Sequence, residues 1–471
     1  MARRHRRQPQ AFEQVHITGI ADRGSVVGRD PEGTVVFARG PVPGDTVDLV
    51  AKKKKGVFQE GAVTRYRSFA ERRQVPFCQH FGACGGCSYQ HMEYGLQLAA
   101  KAKLVQDAYA RIGKLEVELE PILAAPADRY YRNKMEYAFS DRRWLTEEEV
   151  ALGHAMEGEA LGFHRRGAWN KVLDITECHL EHKPGNHLRN TLRQVALDQG
   201  LSFYSEGAHK GLLRKAMQRI LASGEVMLVL MLGEDDSAAV KSYLDAVLAA
   251  CPYLTTVYTV LNTKLNDSMW GLEPELYYGK PLVTEQLGHV QFNIGPLSFF
   301  QTNTAQAVRL YDVVADYAGL DGSQTVYDLY AGVGSIGLYL AREAKRIVAI
   351  EEIAAAIDDA KVNAELNGID NFVGYAGDVG AILTPAFAKT HGTPDVVITD
   401  PPRAGMHAAV VEMLVQLAAA RIVYVSCNPA TQARDLRLLC DGGYRVLRAR
   451  PVDMFPQTPH CEAVAVLALD A

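Results

Sequence analysis

The sequence predicts an α/β protein in which the C-terminal part contains a parallel sheet of the doubly wound type. Three observations predict this class. Apolar strand segments alternate with segments of helical period from residue 325 onward, the first of these strands opens into a glycine-rich turn, and polar residues follow the ends of several strands. Because parallel strands present their carboxyl ends at one edge of a sheet, we expect these polar residues to line a single crevice.

The glycine-rich turn follows the strand candidate at 325–330 and contains Gly332, Gly334 and Gly337 in the pattern G-x-G-x-x-G. Glycines let such a turn tighten and let a ligand approach the backbone, while the helix that follows offers free N–H groups. A second strand candidate ends at Glu351, close to the spacing at which an acidic side chain binds ribose hydroxyls. The crevice therefore suits an adenosyl ligand, for which a nicotinamide cofactor is the usual first hypothesis.

Three further strand candidates bring polar groups to the same edge. Asp378 follows the third strand, Asp400 follows the fourth and precedes a rigid Pro-Pro-Arg turn, and Cys427 follows the fifth. A carboxylate and a thiol at the edge where such sheets bind ligands indicate chemistry rather than binding alone. A cysteine at a strand end is otherwise most often a packed apolar residue, so this pattern leaves both interpretations open.

Five ordered segments are similar to the motifs of a known family, the RNA 5-methyluridine methyltransferases. They are SFFQTN at 298–303, DLYAGVGSIGLYLA at 328–341, TDPPRAG at 399–405, YVSCNPAT at 424–431 and DMFPQTPHCE at 453–462. The resemblance extends over most of the chain. One departure is Ala331, where the family often has Cys, and it concerns packing rather than a catalytic role. The resemblance implies a C-terminal Rossmann-like class I methyltransferase domain that uses S-adenosyl-L-methionine.

The resemblance also implies the roles of individual residues. Cys427 matches the family's nucleophile and Glu462 matches its general base. Carbon 5 of uracil is a weak nucleophile toward a sulfonium methyl group, and addition of a thiolate at carbon 6 activates it. A carboxylate within hydrogen-bond reach then removes the carbon 5 proton. The implied cofactor-binding residues are Gln301, Tyr330, Gly332, Gly334, Glu351, Asp378 and Asp400. From the residues alone, Gln301 equally fits a helix cap and Glu462 the start of a strand.

The N-terminal end is basic and rich in turn residues. Residues 1–73 hold 15 Lys and Arg against 8 Asp and Glu, a charge of +7. The remaining residues therefore carry a charge of −12, because the net charge of the whole chain is −5. Short alternating segments between glycines predict a small five-stranded β-barrel at 9–70, which resembles the OB-like TRAM domain that binds RNA. The lysine run at 52–55 suits a phosphate backbone. A basic tail with a solvated lysine face explains the charge equally well.

Three of the eight cysteines lie within ten residues, as Cys78, Cys84 and Cys87. A chain without a secretory signal favours metal or cluster ligation over disulfides for such spacing. Cys178 is the best candidate for a fourth soft ligand. Four thiolates hold zinc or a 4Fe-4S cluster equally well. The resemblance selects the cluster, because family members carry this spacing together with a distant fourth cysteine.

Residues 71–290 are predicted to form a central α+β domain that contains the cysteines, and 291–471 the methyltransferase domain. A helix at 93–115 is predicted by its apolar period, and it is a candidate to pack on the methyltransferase domain. The segments 131–137 and 161–173 alternate like paired strands with aromatic and basic residues. Such strands suit RNA, through stacking and phosphate contacts, and they equally fit an ordinary sheet with a charged outer face.

Composition limits the remaining possibilities. With 48% hydrophobic and 22% charged residues the chain reads as globular, and its apolar runs fall short of the 18 or so residues that span a bilayer. We therefore expect a cytoplasmic monomer with no membrane contact. The predicted function is methylation of uridine in RNA, with ribosomal RNA favoured over transfer RNA by resemblance. The alternatives are an RNA-binding protein with a vestigial cofactor fold, a nicotinamide oxidoreductase and an amine-directed methyltransferase.

Overall fold

The structure, a computed structural model, describes residues 10–21, 24–55, 58–155, 157–165 and 168–470 of the 471-residue chain. Three regions follow one another along the chain: a closed barrel, a mixed sheet with helices, and a mainly parallel sheet with helices. The predicted fold class is confirmed. Within the described ranges, no helix is both long enough and apolar enough to cross a bilayer.

The N-terminal region is a barrel with the strand order β1-β2-β3-β5-β4. Its strands are β1 (Ala11–Ile20), β2 (Val26–Arg29), β3 (Val35–Ala38), β4 (Thr46–Lys55) and β5 (Phe58–Ser68). Alternation along the strands turns every second side chain inward, so that Val15, Ile17, Val36 and Leu49 pack together. Closure of the barrel removes the unpaired edges that an open sheet would leave. The lysine run at 52–55 lies in β4, but its side chains fall outside the described part of the chain.

A loop and a long helix connect the barrel to the central region. The loop, residues 78–92, carries three of the clustered cysteines and is called the cysteine loop below. The helix α1 (Tyr94–Ala108) continues into a π-helical turn (Tyr109–Gly113). Tyr109 is buried in the core of the C-terminal region, where its hydroxyl donates to Gln432 Oε1 at 2.8 Å. The helix therefore packs on the C-terminal sheet region.

The central region is a seven-stranded sheet with the order β12-β11-β10-β9-β6-β7-β8, parallel between β10 and β11 and antiparallel in its other described pairs. Its elements are β6 (Lys134–Arg142), α2 (Glu147–Ala151), β7 (Glu157–Arg165), β8 (Ala168–Asp174), α3 (Lys183–Asp198), β9 (Leu213–Ile220), β10 (Val226–Leu232), α4 (Ser237–Ala250), β11 (Thr256–Leu261) and β12 (Glu275–Gly279). Leu188 of α3 and Leu244 of α4 pack on Leu228 and Leu230 of β10. The two helices thus cover one face of the sheet.

A hairpin leads from the central region to the C-terminal region. It consists of β13 (Val283–Leu287) and β14 (Val290–Ile294). Its apolar side chains, Phe292 among them, share one core with Met227 and Val229 of the central sheet and with the C-terminal sheet. The domain boundary at residue 290 stays a prediction.

The C-terminal region is a seven-stranded sheet with the order β17-β16-β15-β18-β19-β21-β20. Its elements are α5 (Thr304–Ala318), β15 (Thr325–Leu329), α6 (Ser335–Leu340), a 3-10 turn (Ala341–Glu343), β16 (Arg346–Glu351), α7 (Ala354–Leu366), β17 (Phe372–Ala376), α8 (Val379–Ile382), α9 (Pro385–His391), β18 (Val396–Thr399), α10 (Ala408–Leu417), β19 (Arg421–Ser426), α11 (Pro429–Asp441), β20 (Tyr444–Val452) and β21 (Glu462–Leu469). The first five strands in this order are parallel. Helices pack on both faces, as a doubly wound sheet requires.

The last strand, β21, runs against its neighbours. It is antiparallel to β19, with Ser426 paired to Ala463, and antiparallel to β20, with Val452 paired to Glu462. Val464 faces one core of the sheet, while Ala463 faces the other. Because β21 is antiparallel, its first residue lies at the carboxyl end of β19, the same edge at which the parallel strands end.

Candidate active site

The glycine turn after β15 has one open position and one packed position. Tyr330, Gly332 and Gly334 all have positive φ, at 61°, 55° and 72°. A Cβ added at Gly332 would meet nothing within 4 Å, whereas one added at Gly334 would lie 3.0 Å from Ala360 of α7. The backbone at Gly332 is therefore open to a ligand, and the absence of a side chain at Gly334 lets α7 pack closely.

The carboxylate of Glu351, at the end of β16, holds the glycine turn. Its two oxygens accept the N–H groups of Gly332 and Ile353, each at 2.9 Å. Asp378 follows β17, where it is exposed and caps α8 by accepting the N–H of Ala381 at 2.9 Å. Both carboxylates thus lie at the carboxyl ends of neighbouring strands, along one side of the crevice.

Two more carboxylates lie deeper at this edge. Asp328 is fully buried, and while its Oδ2 accepts the N–H of Gly337 at 2.9 Å, its Oδ1 has no hydrogen-bond partner in the described part of the chain. Burial, together with the charges of Asp400 and Glu351, raises the pKa of Asp328 to about 7. Burial likewise raises the pKa of Asp400 to about 7. A crevice with this many carboxylates favours a cationic ligand, because a positive charge relieves their mutual repulsion.

Gln301 lies in the loop before α5, where its carbonyl accepts the side-chain amide of Asn133 at 3.0 Å. The capping role belongs to its neighbour Asn303, whose side chain accepts the N–H of Gln306 at 3.3 Å. Tyr311, which is fully buried, bonds Ser335 Oγ at 2.7 Å and lies within hydrogen-bond reach of the Gln301 side chain. The side chain of Gln301 is therefore not the cap of α5, and the hydroxyl of Tyr311 orients it.

A thiol, two carboxylates and a guanidinium meet at the ends of β18, β19 and β21. Burial raises the pKa of the Cys427 thiol to about 11, the charges of Glu462 and Asp400 add to this rise, and Arg403 opposes it. Burial and Asp400 raise the pKa of Glu462 to about 8, again against Arg403. These four residues, Asp400, Arg403, Cys427 and Glu462, are called the strand-end site below.

Helix α11 fixes the loop that carries Arg403. The carbonyl of Arg403 accepts the side-chain amide of Asn428 at 2.8 Å and the hydroxyl of Thr431 at 3.3 Å. Farther along the loop, the N–H of Met406 donates to the fully buried Asp435 at 2.8 Å. The loop after β18 and the thiol after β19 are therefore parts of one rigid unit, because the same helix start borders both.

The four clustered cysteines are brought together, although one of them is distant in sequence. Cys78, Cys84, Cys87 and Cys178 are free thiols and only partly exposed. Burial raises the pKa of Cys84 to about 11 and that of Cys87 to about 12, and the other thiols of the group raise both further. Asn186 fixes Cys178 by accepting its N–H at 2.6 Å and donating to its carbonyl at 3.0 Å.

The described ranges contain no group of three or more His, Cys, Asp or Glu side chains that is arranged to hold a metal ion. Direct tetrahedral ligation of zinc places sulfur atoms only about 3.8 Å apart, because each Zn–S bond is about 2.3 Å. Cys78 and Cys178 are close enough to raise the pKa values of both Cys84 and Cys87.

Comparison with known proteins identifies the family. The family model described as tRNA (uracil-5-)-methyltransferase matches residues 283–376 and 389–469. A protein of Porphyromonas gingivalis named as an uncharacterized RNA methyltransferase is 44% identical over 464 residues, which are 96% of this chain and 99% of that protein. The chain belongs to the RNA uracil-5-methyltransferase family. A second uncharacterized RNA methyltransferase, from Bacteroides thetaiotaomicron, is 44% identical over 440 residues, 92% of this chain and 97% of its own length.

A solved structure supports the fold of this uracil-5-methyltransferase over nearly its whole length. The Pyrococcus abyssi tRNA (uracil-54, C5)-methyltransferase in complex with S-adenosyl-L-homocysteine superposes with a TM-score of 0.74, at 27% identity, over 96% of this chain and 100% of that chain. The 471-residue chain is therefore an enzyme that methylates carbon 5 of uracil in RNA with S-adenosyl-L-methionine. The nicotinamide and amine-directed alternatives are therefore excluded.

The predicted residues of this uracil-5-methyltransferase fall into three places. Tyr330, Gly332, Gly334, Glu351 and Asp378 lie at the carboxyl ends of the strands that border the crevice, and Gln301 lies in the loop before α5. Asp400, Cys427 and Glu462 lie in the strand-end site, and the four cysteines form a separate group. Three residues were missed. Arg403 lies within the TDPPRAG segment and Asp328 within DLYAGVG, so both motifs contained a signal for them. Tyr311 has no such signal, because it resembles the other apolar positions of α5.

Proposed function

We propose that the strand-end site methylates uridine by covalent catalysis, with Cys427 as the nucleophile and Glu462 as the general base. The observation that carries the proposal is the antiparallel pairing of β21 with β19, with Ser426 opposite Ala463. This pairing supplies a carboxylate at the strand end that holds the thiol. Asp400 raises and Arg403 lowers the pKa values of both Cys427 and Glu462, and Glu462 also raises that of Cys427, which supports the same grouping.

The proposal assigns the addition and the proton removal each to one residue. The Cys427 thiolate adds to carbon 6, the ring electrons move onto the oxygen of carbon 4, and carbon 5 becomes nucleophilic. S-adenosyl-L-methionine, when bound, supplies an electrophilic methyl group that carbon 5 takes. The ionised form of Glu462 then accepts the proton of carbon 5, the double bond between carbons 5 and 6 forms again, and the Cys427 sulfur leaves with the electron pair of its bond to carbon 6.

The nucleophile must lose its proton before it adds, because the thiolate is the reactive form. With a pKa of about 11, raised by burial and by Glu462 and Asp400, Cys427 holds its proton at neutral pH in the ligand-free site. The Arg403 guanidinium stabilises the thiolate instead. A cationic ligand in the adjacent crevice acts in the same direction.

The crevice residues are proposed to bind S-adenosyl-L-methionine. The carboxylate of Glu351 suits the ribose hydroxyls, the open backbone of Gly332 suits close approach of the ligand, and the buried carboxylates suit its sulfonium charge. Asp378 stands where the adenine is expected. The full proposed set is Gln301, Tyr330, Gly332, Gly334, Glu351, Asp378 and Asp400.

Two variants test the mechanism, because they fail at different steps. Cys427→Ala is expected to form no covalent RNA complex. Glu462→Gln keeps the shape but removes the base, so methylated RNA is expected to accumulate on Cys427. Denaturing gel electrophoresis with labelled RNA reads both results, and RNA with 5-fluorouridine traps the unmodified enzyme at the equivalent stage. Methylation of uridine by Cys427→Ala would falsify the mechanism, and full turnover of Glu462→Gln without an adduct would make Asp400 the next candidate base.

The proposed substrate is a uridine of ribosomal RNA, presented by a loop or flipped out of its stack. Ribosomal RNA is favoured by the family resemblance alone, in which an N-terminal barrel and four grouped cysteines occur together. A transfer RNA substrate is the second candidate, since the Pyrococcus abyssi protein that acts on tRNA aligns over its whole length. Mapping 5-methyluridine in both RNAs, from cells with and without this protein, separates the two. Loss confined to transfer RNA would reject the first.

We further propose that Cys78, Cys84, Cys87 and Cys178 hold a 4Fe-4S cluster. The donor set fits, because four grouped thiols are the ligands that such a cluster requires. Uracil methylation needs no redox step, so the proposed role of the cluster is to support the structure and to position the RNA. Protein purified without oxygen is expected to be brown and to contain iron, and Cys84→Ser to lose both properties. Stoichiometric zinc without iron would contradict the proposal.

The basic N-terminal region is proposed to contact the RNA backbone. The +7 balance of residues 1–73 and the lysine run at 52–55 support this. Changing the four lysines to glutamine is expected to weaken RNA binding and to flatten its dependence on salt, because fewer counterions are released. Changing four acidic residues of the same region to neutral ones is the control. An unchanged salt slope after the lysine changes would remove the barrel from the interface.

A further inference from the structure

The segment that leads into Glu462 is called the base loop, residues 453–461. It joins β20 to β21, and Glu462 is the residue of β21 that pairs with the end of β20. A side chain at the end of a strand ladder is held less firmly than one in its middle. The contacts of the base loop therefore decide how firmly the carboxylate of Glu462 is placed.

Gln457 is the centre of these contacts. It is fully buried and has a φ of 68°, a conformation that costs a non-glycine residue of its kind free energy and persists only when its surroundings hold it. It forms a reciprocal pair with Gln97 of α1: Gln97 Nε2 donates to Gln457 Oε1, and the Gln457 N–H donates to Gln97 Oε1, each at 3.0 Å. Its own amide donates to Asp128 Oδ2 at 3.0 Å.

The carbonyl of Gln457 connects the base loop to the cysteine loop. It accepts the N–H groups of Ser88 at 2.9 Å and Tyr89 at 3.0 Å, and Ser88 directly follows Cys87. Gln97 strengthens this connection by donating to the carbonyl of Tyr89 at 3.1 Å. One residue thus contacts both the backbone that carries a grouped thiol and the segment that carries the base.

The rest of the base loop transmits this position to Glu462. The hydroxyl of Thr458 donates to the carbonyl of Phe455 at 2.8 Å and accepts the N–H of His460 at 3.3 Å. Cys461 is buried, and its Sγ donates to the carbonyl of Val452 at 3.6 Å. The loop is folded on itself between Gln457 and Glu462, so displacement of Gln457 displaces the residue next to the base.

We infer that Gln457 is a positioning residue for Glu462 and that the cysteine loop holds it in place. The inference rests on the proposed function, in which Glu462 removes the carbon 5 proton. Loss of the Gln457 contacts is therefore expected to slow the last step, release of methylated RNA, and to spare the addition of Cys427 to the ring.

The test compares two steps in one variant. Gln457→Gly suits a φ of 68° and removes the side-chain amide. It is expected to slow release of methylated RNA on the order of tenfold, so that the fraction attached to Cys427 rises. Trapping by 5-fluorouridine RNA is expected to stay within about twofold of the unmodified enzyme, since addition precedes the base. Gln457→Asn, which tolerates the same backbone and keeps an amide, is expected to recover part of the release rate.

Two further measurements make every result decisive. Hydrogen exchange of the backbone N–H groups of Ser88 and Tyr89 is expected to rise in Gln457→Gly, while the iron content stays unchanged. Cys87→Ser is expected to show the same slow release. Equal losses in trapping and release, or an unchanged release rate, overturn the inference. If Glu462→Gln itself accumulates no adduct, the proposed function fails instead, and the two failures are thereby distinguished.

Discussion

The four grouped cysteines of this enzyme and the single Cys427 differ in the residues that surround their thiols. The grouped cysteines have one another: the pKa of Cys87 is raised to about 12 by burial and then by the three other thiols. Cys427 has carboxylates and a guanidinium: after burial, Glu462 and Asp400 raise its pKa and Arg403 lowers it. Thiols that surround one another are suited to a shared soft ligand, whereas a thiol between acids and a base is suited to proton transfer. The neighbours, rather than the cysteine itself, decide the chemistry.

The largest expected effects come from two substitutions, one at Cys427 and one among the four grouped cysteines. Cys427→Ser is expected to abolish turnover and adduct formation, because a serine hydroxyl holds its proton at neutral pH, and to leave the iron content unchanged. Cys84→Ser is expected to lose iron while Cys427 still traps 5-fluorouridine RNA. Iron analysis and denaturing gels on the same preparations check both. Loss of iron in Cys427→Ser would show that the two groups are not independent sites.

The second prediction concerns α1, the helix that connects the cysteine loop to the base loop. Lys101 Nζ and Asp453 Oδ1 form a fully buried ion pair at 2.5 Å. Lys101→Met leaves Asp453 buried without its partner, and we expect the free energy of unfolding to fall by about 3–5 kcal/mol. Lys101→Met combined with Asp453→Leu is expected to recover most of this loss. Urea unfolding followed by circular dichroism measures all three proteins.

A matched control lies on the same helix. The pair Lys103–Asp107 is exposed on the lysine side, at 3.1 Å. Lys103→Met is expected to lower the free energy of unfolding by no more than about 0.5 kcal/mol. Equal losses from the two lysine substitutions would mean that burial of the Lys101–Asp453 pair carries no special weight.

The third prediction concerns Arg403, a cation beside the proposed nucleophile Cys427. Because Arg403 lowers the pKa of Cys427, Arg403→Gln is expected to move the pH dependence of 5-fluorouridine trapping to higher pH. Each unit of displacement slows trapping about tenfold at a fixed pH below the pKa. Arg403→Lys keeps the charge and is expected to lie between the two. An unchanged pH profile in Arg403→Gln would remove Arg403 from activation of the thiol.

The smallest expected effect is a release of protons on cofactor binding. The pKa values of Asp328 and Asp400 are raised to about 7, so both carboxyls are partly protonated at pH 7 in the ligand-free enzyme. A cation lowers these pKa values, and protons leave. S-adenosyl-L-methionine, with its sulfonium charge, is therefore expected to release a larger fraction of a proton than S-adenosyl-L-homocysteine. Calorimetry in buffers of different ionisation enthalpy measures this.

The direction of the pKa shifts of Asp328 and Asp400 also decides how the stability of the fold depends on pH. A carboxyl whose pKa is higher in the folded state than in the unfolded state stabilises the fold at low pH, and this contribution is lost as pH rises through about 7. Asp328→Asn is expected to reduce both the proton release and this pH dependence. Equal proton release by the two ligands would show that the sulfonium charge does not reach these carboxylates.

The sequence allowed prediction of what is local or carried by a motif. The strand, turn and helix around the glycines, the closed barrel and the carboxyl-end positions of Asp400 and Cys427 follow from alternation, glycine spacing and the strand-end rule. The functional candidates were found because each stands in a segment whose neighbours are also informative. The antiparallel direction of β21 was not predicted, although it brings Glu462 to Cys427.

The network between the two thiol groups could not be predicted. Gln97 and Lys101 are polar residues of a helix, whose period counts such positions as solvent-facing, and Gln457 stands within the DMFPQTPHCE segment without any sign of burial. Their burial depends on contacts between residues more than 350 positions apart, such as Gln97 with Gln457. A pattern of local spacing has no access to pairs of that kind, whereas tertiary packing decides them.

The direction of β21 has a consequence for insertions and deletions. Val464 and Ala463 face opposite cores, so a shift of the strand by one position would exchange the two faces and turn Glu462 away from the thiol. A length change inside the strand is therefore expected to be far more damaging than any single exchange of residues there. Because the base loop positions Glu462, natural variation in length should spare both this strand and the base loop.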